Sequence, residues 1–199
     1  MEKDKVKIKE AQKELLKSFA RSSGDFALAG GTALELYYLN HRFSADLDLF
    51  SPKYDRREIE AIIGSFVKYS KAKVKIEAEF LARNKAKVRF YSASLKGLKR
   101  PIKIDFVEDV LFDKPKIKKV SAVPVYTVEH IYLQKITAIT GTQEIEDETG
   151  RRFMQGRQEA RDAFDIYMLS KKVKPLNIVI KGLPRQIQRG IVHWYRTLS

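Results

Sequence analysis

The chain has 199 residues, 44% hydrophobic and 32% charged, the composition of a globular protein with room for one core or two lobes. It contains no cysteine, which excludes disulfides and thiolate metal sites, and its three histidines (His41, His130, His193) are scattered without zinc spacing. No apolar run approaches the length of a membrane span, and the charged start, Met1-Glu2-Lys3-Asp4-Lys5, leads into no signal-type apolar region. A cytoplasmic protein with no membrane partner is therefore expected. Lysine and arginine number 39 against 25 acids, a net charge of +14. Lysine enrichment as a heat adaptation normally raises glutamate too, and here the acids lag. The excess points to a nucleic-acid partner.

In chain order, residues 2–20 read as a lysine-rich helix with an imperfect apolar stripe (Val6, Ile8, Ala11, Leu15, Leu16, Phe19), ended by Ser22-Ser23-Gly24. Residues 26–29 form a short apolar strand, broken by Gly30-Gly31-Thr32 and followed by helical character over residues 33–39. A strand, a double glycine and a helix start make a phosphate site, because glycine permits close backbone approach and free N–H groups attract anions. The loop Asn40-His41-Arg42-Phe43-Ser44 follows; Arg42 is placed to neutralise a phosphate or pair with Asp46, and Ser44 to hydrogen-bond the next strand. That strand, Asp46-Leu47-Asp48-Leu49-Phe50, puts Asp46 and Asp48 on one face and Leu47 and Leu49 in the core. Two adjacent carboxylates repel unless a cation lies between them, and a divalent metal such as Mg2+ (or Mn2+), held together with substrate phosphates, is the natural candidate.

A second amphipathic helix is expected over 55–69, capped by Asp55, then an antiparallel meander of strands at 73–81, 88–95 and 102–107. The turns between these strands hold Arg83-Asn84-Lys85 and Lys96-Gly97-Leu98-Lys99. In the third strand, Lys103-Ile104-Asp105-Phe106-Val107 sets one carboxylate in an apolar strand, against propensity. Beside the Asp46–Asp48 strand, Asp105 would make a third acid; the structural alternative is a pair with Lys103. Residues 109–125 read as an irregular, basic, exposed connector, with the boundary between domains 1–120 and 121–199 near residue 120.

Thr127 caps a helix over 128–140, in which Lys135 lies among apolar neighbours and needs an anionic partner, or snorkels at the flank. Residues 141–156 read as a loop, a lid or an insertion. A helix over 157–171 places Asp162 and Asp165 on one face, with Arg161 and Asp165 spaced for an intrahelical pair. Residues 175–199 give one or two short helices carrying Arg185, Arg189, His193 and Arg196 around Trp194 and Tyr195, a mixture suited to packing or to gripping RNA.

Gly30-Gly31-Thr32-Ala33-Leu34 and Arg42-Phe43-Ser44-Ala45-Asp46-Leu47-Asp48-Leu49-Phe50 together resemble the signature of AbiEii/AbiGii-type toxins in the nucleotidyltransferase superfamily. The resemblance implies an α+β fold: a mixed or antiparallel nucleotidyltransferase-like sheet flanked by helices over 1–120, then a helical C-terminal lobe over 121–199 contributing to the nucleotide or acceptor site. It implies a metal-dependent transfer of a nucleoside monophosphate from an NTP to RNA, at tRNA ends, by a toxin with a cognate antitoxin. The metal would be held by Asp46, Asp48 and Asp105, the last also able to act as base. The nucleotide would be held by Gly30, Gly31, Thr32, Arg42, Ser44 and Lys135, with Asp162 orienting Lys135 or touching substrate. The alternatives are a transferase acting on a small molecule or a protein, and an inactive RNA-binding homologue.

Overall fold

The computed structural model describes residues 2–82, 85–141, 144–146, 148, 150, 152–154 and 156–197. It divides into two compact units, Met1–Thr127 and Val128–Ser199. The first is built on a seven-stranded mixed sheet. Its elements are α1 (Glu2–Phe19), β1 (Ala27–Ala29), α2 (Gly30–Ala33), β2 (Leu47–Ser51), α3 (Arg56–Ser70), β3 (Lys73–Phe80), β4 (Val88–Ser94), β5 (Ile102–Glu108), β6 (Ile117–Val120) and β7 (Val123–Tyr126). A π-helical turn, Leu34–Leu39, continues α2 and ends at Asn40 in the left-handed region.

The strand order is β3-β4-β5-β2-β1-β7-β6. At the centre β2 runs antiparallel to β1 and parallel to β5, so Asp48 lies between Ala29 on one side and Asp105 on the other. The period-2 alternation holds: Leu47, Leu49, Ile104 and Phe106 are fully buried, and Asp48 and Asp105 point to the opposite, partly open face. Helices α1 and α3 pack together and bury Leu15, Leu16 and Phe19 with Ile59, Ile62 and Phe66. Asp55 caps α3 by accepting from the Arg57 N–H at 2.8 Å, as expected. Glu58 in the first turn accepts from the N–H groups of Gly24, Asp25 and Phe26 at 2.8 to 3.0 Å and so fixes the entry into β1. The meander of β3, β4 and β5 forms as expected; of its first turn, Arg83 and Asn84 lie outside the described residues.

The expected connector over 109–125 is instead partly sheet. β6 and β7 form an antiparallel hairpin, and β7 joins the sheet parallel to β1. All four residues of β7 are buried. The turn is made by Ser121 and Ala122 at φ of 50° and 68°, a two-residue hairpin turn without the glycine or asparagine that normally announces one. Pro124 further disguises the strand. The division between units therefore falls after Thr127 rather than near residue 120.

The second unit contains α4 (Val128–Thr140), β8 (Glu144–Glu146), β9 (Arg152–Met154), α5 (Ala160–Lys172), α6 (Leu176–Lys181) and α7 (Arg185–Thr197). The expected loop over 141–156 carries an antiparallel hairpin, β8 with β9, pairing Ile145 with Phe153. Its low apolar content hid two three-residue strands; Gln143, Asp147, Thr149 and Arg151 lie outside the described residues. Helix α7 is anchored within this unit by the Trp194 indole N–H donating to the Arg157 carbonyl at 3.1 Å.

Candidate active site

The sequence motif folds into one closely packed corner of the first unit. Gly30 has φ of +65°, and a Cβ at this position would run into the Asp48 carboxylate. Both facts exclude any other residue without rearrangement. A Cβ on Gly31 would meet the Arg42 guanidinium at 2.7 Å and the Ser44 hydroxyl at 2.9 Å. The double glycine thus brings main chain against Asp48 on one side and against Arg42 and Ser44 on the other. α2 begins after Ala29 with no side chain capping it.

The buried Thr32 hydroxyl donates to the Asp46 carbonyl. This makes Thr32 a clamp on the start of the carboxylate strand, beyond the phosphate contact expected of it. Three further residues hold the 42–45 loop and were missed in the sequence. Glu35, only 2% exposed, accepts from the Ser44 N–H at 2.6 Å and pairs with Lys9 at 2.5 Å. Gln12, fully buried, donates to the Ser44 carbonyl at 2.9 Å. The available signal was an acid inside the apolar run Leu34-Glu35-Leu36-Tyr37-Tyr38. Burial of a carboxylate there requires partners.

Asp105 stands opposite Asp48 in register. Burial, reinforced by the charges of Asp48 and then Asp46, pushes its carboxyl from 3.8 up to about 7, with Lys103 opposing weakly. No ion pair joins Asp105 to Lys103 among the described residues, so the alternative reading of this Asp is not realised. The strands bring the three acids together, and their mutual repulsion is the cost of that arrangement. Among the described residues no three His, Asp or Glu side chains are placed to hold a metal ion together. An all-oxygen carboxylate set of this kind suits a hard divalent cation, whose charge would relieve the repulsion.

Lys135 and Asp162 lie in the second unit. Lys135, 8% exposed, places Nζ 2.8 Å from Asp162 and 2.8 Å from Asp165, both fully buried. Arg157 adds a contact to Asp162 at 3.3 Å. The partnership of Asp162 with Lys135 agrees with the sequence reading. Asp165 joins the same lysine instead of Arg161, which pairs with Glu159 at 2.6 Å. The anion that Lys135 needed is therefore supplied twice over from α5.

This fold is that of nucleotidyltransferases. Among solved structures, MenT4, a nucleotidyltransferase toxin of Mycobacterium tuberculosis H37Rv, superposes with a TM-score of 0.60 at 15% identity, over 88% of this chain and 62% of that one. JHP933 from Helicobacter pylori gives 0.57 at 20% identity, over 94% and 79% of the two chains. A candidate nucleotidyltransferase from H. pylori gives 0.58 at 17%, over 94% and 81%. The family model described as "Nucleotidyl transferase AbiEii toxin, Type IV TA system" matches residues 14–187, and the chain belongs to that family. No curated protein matches it in sequence. No helix among the described residues is long and apolar enough to cross a membrane.

Two outcomes follow from these electrostatics. An acid whose folded value lies above its unfolded value holds its proton more tightly when folded. Stability of the cation-free protein should therefore fall as pH rises from about 4 to about 7 and level off above. Asp105→Asn removes that loss. In chelator its unfolding free energy should exceed that of wild type near pH 8, by on the order of 1–2 kcal/mol after allowing for the partial exposure of the group. The gap should shrink toward pH 4, and a gap independent of pH contradicts the electrostatic account. Lys135→Met leaves two buried carboxylates without their shared cation, and denaturant unfolding should register a loss of about 3–5 kcal/mol. Unchanged stability contradicts a buried triad.

Proposed function

We propose that the protein transfers a nucleoside monophosphate from an NTP to RNA, at tRNA ends, and that Asp46, Asp48 and Asp105 are the centre of the reaction. The observation carrying this reading is the register of β2 and β5, which pairs Asp48 with Asp105 beneath the Gly30-Gly31 turn. The chain's +14 charge supports a polyanionic acceptor. Membership of a nucleotidyltransferase toxin family supports the reaction class, and a cognate antitoxin is the corresponding protein partner.

Asp46, Asp48 and Asp105 would hold Mg2+, or Mn2+ in its place, which supplies Lewis-acid charge to phosphate oxygens when bound. The remaining work falls to the chain itself. The Gly30-Gly31 main chain and the first turn of α2 receive the triphosphate. Arg42, whose guanidinium lies over Gly31 with Ser44 beside it, supplies fixed positive charge toward the leaving pyrophosphate. An acceptor hydroxyl oxygen bonds to the α-phosphorus, the bond from that phosphorus to the bridging oxygen breaks, and pyrophosphate departs. Asp105, opposite Asp48 in register, accepts the hydroxyl proton. Thr32, Glu35 and Gln12 keep the strand and loop in place. Lys135 acts through its partnership with Asp162, as a positioning element of the second unit.

Total RNA incubated with each of the four α-labelled NTPs and Mg2+ should yield a labelled tRNA-sized band with one or two of them. Asp48→Asn should fold normally and lose at least about 100-fold in rate. Label on a protein or a small molecule would replace RNA as acceptor, and full activity of the variant would remove Asp48 from the centre.

A further inference from the structure

The last stretch of the chain has a charge pattern that the transfer reaction leaves unexplained. From Ile166 to Ser199 there are seven lysines and arginines and no aspartate or glutamate. Three of the arginines lie on α7. Arg185, Arg189 and Arg196 fall within about 40° of one another around the helix axis, rising by about 6 Å and then about 10 Å along it. Gly190, Ile191 and Trp194 are buried on the other side of the helix, so packing and charge are cleanly separated. All three arginines are exposed, and none has an ion-pair partner among the described residues. Val192, 49% exposed, lies within the stripe, and Tyr195, 77% exposed, stands at its flank.

Three guanidinium groups held in line without counter-ions repel one another and leave their donors to solvent. A strand of phosphates relieves both, because arginine meets phosphate through two parallel N–H bonds and the repeated anions match a linear row. The exposed tyrosine ring beside the row offers a stacking surface to an unpaired base. A lipid surface fits less well, because an amphipathic membrane helix needs a broad apolar face, and the exposed side of α7 offers only Val192 and Tyr195.

We propose that the exposed face of α7 is an RNA-docking strip in which Arg185, Arg189 and Arg196 contact the acceptor's phosphate backbone and Tyr195 stacks on a base. This deepens the RNA-acceptor reading and rests on it. The strip would set which stretch of RNA is held, independently of the nucleotide.

The test is fluorescence anisotropy with labelled tRNA and a labelled single-stranded RNA, across a salt series. The proteins are wild type, Arg185→Glu/Arg189→Glu/Arg196→Glu, and the same three positions changed to lysine. The glutamate variant should melt like wild type and bind RNA at least about 30-fold more weakly, with the slope of log affinity against log salt reduced by about 2 to 3. The lysine variant should keep the salt slope. Nucleotide binding, followed by calorimetry, should be the same in all three. RNA binding by wild type with equal affinity in the glutamate variant overturns the strip and leaves the RNA acceptor standing. No RNA binding by wild type, together with label transfer to another acceptor, overturns both. Equally tight binding of a polyglutamate peptide overturns the assignment to RNA in favour of an acidic protein surface.

Discussion

The arrangement depends on a close approach: the main chain of Gly30 pressed against the carboxylate of Asp48. Only a residue without a side chain, in the left-handed region, allows β1 to turn into α2 at that distance. The same turn sets Gly31 under Arg42 and Ser44, and Thr32 where its hydroxyl clamps Asp46. Three successive residues thereby fix one wall of the site. The opposite wall is Asp105, set in register by the parallel pairing of β2 with β5. The sheet thus concentrates like charge at its centre, and folding carries that repulsion.

Buried polar groups in the two units serve different ends. In the first, Glu35 and Gln12 direct hydrogen bonds to the main chain of Ser44, with the half-buried Lys9 paired to Glu35, and so tie a loop of little apolar content to the edge of the site. In the second, Lys135 is enclosed by Asp162 and Asp165. Such a triad contributes little net stability against an apolar equivalent, yet each member is costly to remove alone. It joins α4 to α5 through two short ion pairs.

Much of this was readable from residues alone. The glycine pair, the Asp-x-Asp strand and the third acid each break a propensity rule, and the structure brings all of them to one place. The elements that escaped share a different property: their signals are spread thin. β7 is four buried residues interrupted by Pro124, entered through a turn of Ser121 and Ala122 that lacks the usual residue types. The β8–β9 hairpin is held by backbone pairing between strands too short to show alternation. Asp165 looked like half of an intrahelical pair because helical spacing reveals Arg161, while the lysine that takes it lies on another helix. Local periodicity carries local partners; Glu35, Gln12 and Asp165 have partners set by tertiary packing, and for these the sequence shows only that a partner is required.

In the reading proposed above, the three acids serve transfer of a nucleotide and not of a phosphate. The most direct measurement runs parallel incubations with NTP labelled at the α-phosphorus and at the γ-phosphorus, with Mg2+ and total RNA, and follows where each label goes. Nucleotidyl transfer places the α-label on the acceptor and sends the γ-label into pyrophosphate. The γ-label on an acceptor, with the α-label left in free nucleoside diphosphate, would contradict the account.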